Sequence, residues 1–365
     1  MTNYCGVCTM KLDRILLFPY TLTLALRNLL YDRGVFKSYV PSVPSICVGN
    51  VTVGGTGKTP MVELLVRMYM GERRVAVVSR GYGRKTKGYR EVNVEDTYRD
   101  VGDEPLQIKK KFPDVTVVVD ADRARAIETL AALPEERRPQ LVILDDAFQH
   151  RRVRPGYSIL LVSSTRPLHK DALLPIGRLR DLPSQVRRAD MVIVTKMEDS
   201  VTETVRYRWR ESMRLPGRIP LLFSRTAYLP PVPVFADGSD QRYVYAKNAI
   251  VFSGIADDRA VRREAGWKYT VNDVLRFPDH HKYTLSDMSR ILSSMRRHPT
   301  AVVLTTEKDA QRLVSLNGMP PELKARLFYL PIVSEIIPET GSGRYIEEEL
   351  PGLGLQQLKE TIIIR

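Results

Sequence analysis

The chain has 365 residues, enough for two domains, and its 43% hydrophobic and 27% charged residues indicate an ordinary folded protein. Its 56 Lys and Arg residues against 42 Asp and Glu give a net charge of +14, which favours nucleic acid, anionic lipid or phosphorylated substrates as partners. Three cysteines occur, and the C-x-x-C of Cys5 and Cys8 has no second pair to complete a zinc site. We interpret that pair as a chance occurrence in a protein of a reducing compartment.

The most apolar part of the N-terminus is residues 11–36, but its longest uncharged run, residues 15–26, is too short to span a bilayer. No small-residue cleavage site follows, so a secretory signal is not predicted. As a helix, the segment carries a narrow polar stripe opposite a broad apolar face. The stripe contains Arg14, Thr21, Asn28 and Asp32, and the face contains Leu12, Ile15, Leu16, Leu22, Leu26 and Leu29. Two interpretations remain open, a helix in a membrane interface and a core helix packed on its own domain.

Short β-branched runs separated by helical or turn segments follow this helix. They are apolar throughout rather than alternating, which is typical of strands buried on both faces of a parallel sheet. We therefore predict an α/β fold with a doubly wound parallel sheet. The predicted strands are residues 45–48, 75–78, 116–119, 141–144, 159–162 and 191–194.

The composition changes at "YLPPVPVFADGSD", where prolines restrict the backbone and Asp-Gly marks a turn. We predict an extended, hairpin-like linker there, followed by a smaller α/β domain with strands at 249–252 and 301–305 and a helix at 287–297. The predicted organisation is an N-terminal helix at 1–36, a nucleotide-binding domain at 37–215, the linker at 216–247 and the smaller domain at 248–365.

The stretch "VGNVTVGGTGKTP", residues 48–60, ends like a phosphate-binding loop, but Thr52 stands where the first glycine of G-x-x-x-x-G-K-[ST] is expected. A predicted strand precedes it and a predicted helix at 61–69 follows, which is the context that such a loop requires. Thr52 is compatible with the loop if its backbone keeps a negative φ. Lys58 would reach the β- and γ-phosphates, and the Thr59 hydroxyl would coordinate magnesium. The predicted nucleotide-binding residues are Thr52, Val53, Gly54, Gly55, Thr56, Gly57, Lys58 and Thr59.

Three further motifs contain candidate catalytic groups. "LVILDDAFQH" ends a predicted strand at Asp145 and Asp146, where proteins with such a loop hold magnesium or an attacking water. In "DVGDEPLQ", Asp103 and Glu104 precede Pro105. An acid before a proline of the first helical turn is typical of an N-cap, so capping is the default function of Asp103. "FPDHHKYT" would fit a metal-dependent phosphoesterase only with further motifs that are not evident, and its histidines could instead tune a general base.

Together the motifs resemble one family. "GNVTVGGTGKTP", "SRGYGRK", "VGDEP", "LDDAFQH", "LLPIGRLRD", "TKMED", "FPDHHKY" and "TTEKDA" follow the order and spacing of the tetraacyldisaccharide 4′-kinases, the lipid A 4′-kinases of bacterial envelope synthesis. The resemblance extends from the N-terminal helix to about Asp309. Ala147 stands where many relatives have glycine and Asp181 where many have glutamate, and neither change removes a charge or a ligand.

The resemblance implies transfer of the γ-phosphate of ATP to the 4′-hydroxyl of a tetraacylated glucosamine disaccharide 1-phosphate, which gives lipid IVA. It implies ATP and Mg²⁺ as cofactors and a peripheral or monotopic protein at the cytoplasmic face of the bacterial inner membrane, bound to lipid by the N-terminal helix. The acylated disaccharide is the expected partner, and neither a nucleic acid nor a protein partner is expected.

By position in the motifs, the resemblance makes Asp103 the base that activates the sugar hydroxyl. His280, rather than His281, pairs with it across an interdomain cleft on which the smaller domain closes. The remaining functions that the resemblance implies are Lys58 as a catalytic cation, Thr59, Asp145, Asp146 and Asp181 at the metal, Gln149, His150 and Arg180 at the phosphates, and Asn50, Tyr82, Glu104 and Arg123 at the substrate.

Two other functions are compatible with parts of this pattern. "TKMED" is similar to the base-reading N/T-K-x-D element of GTPases, with Glu198 where aspartate should stand. A non-catalytic, membrane-associated nucleotide-binding regulator would need only the loop, the basic charge and the N-terminal helix.

Overall fold

The computed structural model describes residues 18–197 and 200–338. Several residues used in the sequence predictions therefore lie outside the described residues: Cys5, Cys8, Leu12, Arg14, Ile15, Leu16 and Glu198. Among the residues that are described, no helix is both long enough and apolar enough to cross a membrane.

The strands account for most of the predicted apolar runs. In chain order they are β1 Ser45–Gly49, β2 Val75–Ser79, β3 Arg90–Glu91, β4 Thr116–Val119, β5 Leu141–Asp145, β6 Tyr157–Ser163, β7 Met191–Thr195, β8 Leu221–Tyr228, β9 Val232–Pro233, β10 Asn248–Ser253, β11 Thr270–Arg276, β12 Val302–Thr306, β13 Leu327–Leu330 and β14 Ile332–Ile337.

The helices alternate with these strands. They are α1 Phe18–Asp32, α2 Lys58–Tyr69, α3 Tyr98–Val101, α4 Asp103–Lys111, α5 Arg123–Ala131, α6 Glu203–Met213, α7 Arg259–Lys268, α8 Leu285–Arg297, α9 Glu307–Val314 and α10 Pro321–Arg326, with short 3-10 helices at Leu168–Lys170, Pro183–Arg188 and Gln241–Tyr245.

The chain divides into two compact units, and neither is one continuous segment. The first unit contains the described residues up to Arg80, then Asp120–Thr226 and the described residues from Ser334 onward. The second contains Gly81–Val119 and Ala227–Val333. The prediction of contiguous domains at 37–215 and 248–365 is therefore wrong, because residues 81–119 belong to the second unit. Nothing in the sequence indicates this, since its composition does not change at either end of that segment.

The first unit is built on a parallel sheet in the order β8-β7-β6-β1-β5-β2. Strands β1, β2, β5 and β7 are buried at every position, which confirms the prediction from their uninterrupted apolar runs. Helix α2 packs on β1 and β5 with Met61, Val62 and Leu65 at 0% exposure. The loop between β1 and α2 is thus held at the carboxyl end of a central strand.

The second unit contains a five-stranded sheet in the order β11-β10-β12-β13-β9. All of its neighbouring pairs are parallel except β13 and β9. Phe252 on β10 packs edge-to-face against Phe277 and Tyr283, whose rings lie 6.2 and 5.7 Å away. In the same unit α4 packs beside α9, and β3 pairs antiparallel with β4.

The predicted linker at 216–247 does not form a hairpin. Strand β8 pairs with β7 in one sheet, whereas the two-residue strand β9 pairs with β13 in the other. The prediction was wrong because the apolar start of this stretch, at Leu221, completes the first sheet rather than folding back on the prolines that follow.

Candidate active site

The predicted site residues fall into two groups, one in each compact unit. The first unit holds the phosphate-binding loop together with Arg123, Asp145, Asp146, Gln149, His150, Arg180 and Asp181, and the second holds Tyr82, Asp103, Glu104 and His280.

The beginning of the phosphate-binding loop is extended rather than tightly turned. Thr52 forms an antiparallel bridge with Leu179, and the Val53 amide donates to the Arg178 carbonyl at 2.7 Å. Thr52 is not among the residues with a positive φ, so it meets the condition for replacing the first glycine of the motif. Gly54 and Gly57 have φ of 89° and 82°. A glycine is dispensable at position 52 because pairing with a neighbouring segment, and not a turn, shapes the backbone there.

Asn50 is buried beneath the loop and holds it by hydrogen bonds. Its side chain is 0% exposed, its amide donates to Thr56 Oγ1 at 2.7 Å, and its Oδ1 accepts from Arg180 at 2.5 Å. Gln149 donates to the Asn50 carbonyl, also at 2.5 Å. Because the Asn50 amide is buried and engaged on both sides, its predicted contact with substrate is not supported.

Asp146 binds two of the predicted cations, Arg180 and Lys58. Arg180 donates to both of its carboxylate oxygens, with Nη1 3.0 Å from Oδ2, and Lys58 Nζ lies 3.9 Å from Oδ1. Burial alone would raise the pKa of Asp146, but the charges of Lys58, Arg180 and Arg123 lower it below its ordinary value. The predicted loop lysine, aspartate and arginine are therefore brought together around one ionised carboxylate.

The other predicted metal ligands are buried side chains with oxygen atoms that could coordinate a metal. Asp145 accepts from Ser79 at 2.9 Å, and Thr59 is 3% exposed in the first turn of α2. Asp181 accepts from Asn28 at 2.9 Å through Oδ1, while its Oδ2 is buried without a hydrogen-bond partner. Within residues 18–197 and 200–338, no group of three or more His, Cys, Asp or Glu could hold a metal. Such donors fit Mg²⁺, which proteins bind through one or two side chains together with substrate phosphates rather than in a protein cage.

His150 is half-buried and Arg123 is buried. Burial, followed by the charge of Arg123, lowers the pKa of His150 to about 4, so its ring is neutral at pH 7. Burial also lowers the pKa of Arg123, and Arg80 lowers it further. A buried guanidinium whose pKa is lowered in this way would be stabilised by an anion.

In the second unit, two glycines place the candidate base. Gly102 has φ 95° and precedes Asp103, the first residue of α4. A Cβ at Gly102 would lie 3.2 Å from Gly81 Cα and 3.1 Å from the Tyr82 carbonyl oxygen. The motifs "SRGYG" and "VGDEP" therefore pack backbone against backbone, which only glycine at these positions allows.

Asp103 does not cap its helix. Gly102 is the N-cap residue, and Asp103 Oδ2 instead accepts from Arg312 at 2.5 Å and lies 3.6 Å from His280 Nδ1. Burial alone would raise the pKa of this carboxyl. The adjacent His280 and the cations Lys308 and Arg312 offset that effect, so its pKa lies well below the usual range. The default prediction of an N-cap was wrong in position, since Gly102 occupies it, although Asp103 Oδ1 accepts from the Glu104 amide at 3.1 Å. The charged partners of Asp103, Arg312 and His280, lie far away in sequence.

His280, and not His281, is the partner of Asp103. The Asp103 carboxylate raises the pKa of His280, although partial burial opposes the shift. His281 bonds to Asp287 at 3.0 Å and stacks on the Phe277 ring at 4.9 Å. Asp103 and His280 both belong to the second unit, so the predicted location of this pair across an interdomain cleft is wrong.

The two remaining predicted residues lie close to this pair. Tyr82 is 71% exposed, and its ring centroid lies 5.8 Å from that of His280. Glu104 forms an ion pair with Lys308.

Comparison with known proteins indicates one family. The sequence profile of the tetraacyldisaccharide-1-P 4′-kinase family matches residues 12–350. The chain belongs to this family. It is similar to the tetraacyldisaccharide 4′-kinases of Porphyromonas gingivalis, at 43% identity over 86% of this chain and 89% of the relative, and of Parabacteroides distasonis, at 42% over 89% and 90%. A crystal structure of the family member from Aquifex aeolicus, described as an "apo" form in complex with ATP, matches with a TM-score of 0.69 and 28% identity and covers 96% of this chain and 98% of that one.

Two cations beside the loop of this 4′-kinase family member were not predicted. A Cβ at Gly54 would lie 4.0 Å from Arg166 Nη1, and a Cβ at Gly55 would lie 3.4 Å from Lys196 Nζ. The Thr195 hydroxyl donates to the Thr56 carbonyl at 2.8 Å, which fixes the end of β7 against the loop. Lys196 belongs to "TKMED", a motif that indicated the family and an alternative GTPase function but did not by itself give this lysine a function.

Proposed function

We propose that this protein transfers the γ-phosphate of ATP to the 4′-hydroxyl of a tetraacyldisaccharide 1-phosphate and so forms lipid IVA. The observation that carries the proposal is the convergence of Lys58 and Arg180 on Asp146 at the end of a phosphate-binding loop, in a chain of the 4′-kinase family. Phosphoryl transfer requires mainly positioning and charge neutralisation, and these groups are suited to both.

The nucleotide binds along the loop from Thr52 to Thr59 in this proposal. Lys58 and Arg180, which Asp146 holds in the free protein, contact the phosphate oxygens when ATP is bound, and Gln149 and His150 line the same region. Thr59, Asp145, Asp146 and Asp181 would hold Mg²⁺, which supplies neutralisation of the charge that develops on the transferred phosphoryl group.

Asp103 acts as the base that receives the proton of the 4′-hydroxyl, and His280 shares that proton. A carboxylate with a lowered pKa is a weak base, but a loose phosphoryl-transfer transition state asks chiefly that the hydroxyl be oriented. The raised pKa of His280 suits a group that stabilises the ionised base. Tyr82, Glu104 and Arg123 are the proposed contacts with the disaccharide.

Helix α1 docks on a lipid surface in this proposal, at the cytoplasmic face of the inner membrane. Leu22, Leu26 and Leu29 are 55%, 53% and 43% exposed, so the part of the predicted apolar face that lies within the described residues is turned away from the protein. Its polar side instead binds the first unit, through Asn28 to Asp181 and through Asp32 to Arg151. A helix that binds its own protein through polar groups and exposes leucines is suited to a membrane interface.

The test is labelled transfer from γ-labelled ATP to the tetraacyldisaccharide 1-phosphate. We expect labelled lipid from the full chain, a loss of at least 100-fold for Asp103→Ala, and no loss for Asp114→Ala, an exposed aspartate just beyond the same helix. A clear preference for GTP would favour the GTPase function. Nucleotide binding without any labelled lipid would favour the non-catalytic regulator.

A further inference from the structure

The motif "TTEKDA" received no function in the sequence analysis, yet its helix binds the candidate base. Lys308 and Arg312 lie four residues apart on α9, and therefore on one face of it. Lys308 pairs with Glu104 and Arg312 pairs with Asp103, so consecutive acids at the start of α4 meet two cations one helical turn apart.

Arg312 is the more deeply buried of the two cations. Its side chain is 4% exposed, and it bridges two carboxylates, with Nη2 2.5 Å from Asp103 Oδ2 and Nη1 3.1 Å from Asp309 Oδ1. Asp309 is itself 0% exposed. A guanidinium is planar and always charged, and its donors are in a fixed fork, so it can hold two carboxylates at a set separation, which a lysine cannot do.

The same guanidinium reaches the histidine of the pair. Arg312 Nη2 lies 3.2 Å from His280 Nδ1, and Nη1 donates to the Gly254 carbonyl at 3.2 Å. That carbonyl also accepts from the His280 backbone amide at 3.1 Å. Gly254 is tightly enclosed, since a Cβ there would lie 3.0 Å from His281 Cβ and 3.2 Å from Asp309 Oδ1. Arg312 thus contacts Asp103 directly and His280 both directly and through Gly254.

The charged groups around Asp103 come from three elements. Helix α9 contributes Lys308 and Arg312, the loop before α8 contributes His280, and α4 itself contributes Glu104. Asp279 acts on His280, and Asp309 acts on Arg312. Arg312 is the one of these cations that donates a hydrogen bond to the Asp103 carboxylate.

We propose that Arg312 is a positioning residue for the kinase reaction, which fixes the Asp103 carboxylate in orientation while it holds the His280 loop. This inference rests on the proposed function of Asp103 as the base. A carboxylate anchored at Oδ2 by a charge-assisted bond cannot rotate without breaking that bond. The substrate hydroxyl therefore meets a base of defined geometry.

The inference predicts a shift in a pH profile that a purely structural function would not produce. Arg312 lowers the pKa of Asp103, so its removal raises that pKa. The acidic limb of kcat/KM, where the base becomes protonated, should therefore move to higher pH. Removal also frees His280 from a neighbouring cation, so the pKa of His280 rises as well.

The experiment compares the full chain with Arg312→Met, Arg312→Lys and Lys111→Met between pH 3 and 9, a range that extends to the acidic limb, by labelled transfer to the lipid disaccharide. Lys111→Met is the matched control, because Lys111 pairs with Glu307 across the same two helices at 2.9 Å and does not touch Asp103. For Arg312→Met we expect kcat to fall about 100-fold, the KM for ATP to stay within about twofold, and the acidic limb to move up by about one pH unit or more. The control should keep the profile of the unaltered protein.

Arg312→Lys keeps the test decisive if the methionine variant does not fold. A lysine keeps the charge but holds one carboxylate at a time, so we expect a loss of about 10-fold and a smaller upward shift of the acidic limb. An unchanged kcat and profile in the folded lysine variant would overturn the inference, and so would a rise in kcat, which would mean that Arg312 restrains the base.

If Asp103→Ala itself keeps full activity, it is the proposed function of Asp103 that fails. If Asp103→Ala is inactive and the Arg312 variants behave like the unaltered protein, only the present inference fails.

Discussion

Arg180 binds both carboxylate oxygens of Asp146, at the end of the loop where Lys58 also approaches that carboxylate. In the free protein one aspartate therefore binds both of the cations that we propose contact the phosphates of ATP. Asp146 has φ 50°, a left-handed conformation that is uncommon outside glycine. The positive charges of Lys58, Arg180 and Arg123 act on its carboxylate.

Replacing Asp146 with asparagine should separate nucleotide binding from catalysis. We expect kcat to fall at least 100-fold, because a proposed Mg²⁺ ligand is lost, while Mg²⁺-free ATP binds severalfold more tightly, because Lys58 and Arg180 lose their competing anion. Calorimetric titration with ATP in the presence of a chelator measures the second effect. Asp237→Asn, at an exposed position, is the control. Weaker binding of Mg²⁺-free ATP by Asp146→Asn would contradict this account.

The ion pair between His280 and Asp103 should contribute to stability in a defined pH range. The pKa of His280 is raised in the folded state, so its contribution is fully present below its unfolded pKa, about 6.5, and is lost as the pH rises through the folded pKa. His280→Ala should therefore lower the free energy of unfolding by about 0.5–1 kcal/mol more at pH 5.5 than at pH 9, a small effect because the side chain is 49% exposed.

Urea unfolding at the two pH values measures this difference. His169→Ala, at an exposed position, should show no such dependence on pH. An equal effect of His280→Ala at both pH values would mean that the imidazole is not charged beside Asp103.

Gly102, beside the candidate base, should be sensitive to substitution. Alanine at this position needs φ 95° and brings its Cβ to 3.1 Å from the Tyr82 carbonyl oxygen, so we expect a loss of about 1–3 kcal/mol in the free energy of unfolding. Gly71→Ala is the matched control, because Gly71 has no positive φ and a Cβ there meets nothing within 4 Å. A stability change of less than about 0.5 kcal/mol for Gly102→Ala would contradict the argument from close backbone packing.

Charged residues on the exposed face of α1 should weaken binding to lipid. Leu22→Glu with Leu26→Glu should reduce co-sedimentation with anionic phospholipid vesicles at least 10-fold, because two leucines no longer enter the interface and two anions face the lipid. Tyr245→Glu places one such charge at an 86% exposed aromatic residue of the second unit and should have much less than half of this effect. Equal binding by the leucine variant and the unaltered protein would rule out docking through this face.

Local pattern was sufficient wherever a feature depends on near neighbours. The uninterrupted apolar runs predicted β1, β2, β5 and β7 because a strand buried on both faces cannot alternate polar and apolar residues. The phosphate-binding loop could be located because its glycines, Lys58 and Thr59 act through backbone geometry within a few residues. Domain boundaries could not be found in this way, since residues 81–119 join the second unit through contacts distant in sequence.

The sequence by itself determined that one face of the N-terminal helix is apolar, that a phosphate-binding loop follows β1, and that Asp103 and a histidine of "DHH" are candidates for a catalytic pair. The tertiary structure alone decided three matters. Asn28 bonds to Asp181, 153 residues away, and so turns the polar side of α1 inward. Leu179 pairs with Thr52, and Arg312 donates to Asp103 from 209 residues away. Helical periodicity separates two faces without saying which one meets the protein, and a charge in a sequence does not name its partner. Both are settled only when the folded chain brings distant residues within hydrogen-bonding distance and removes them from water.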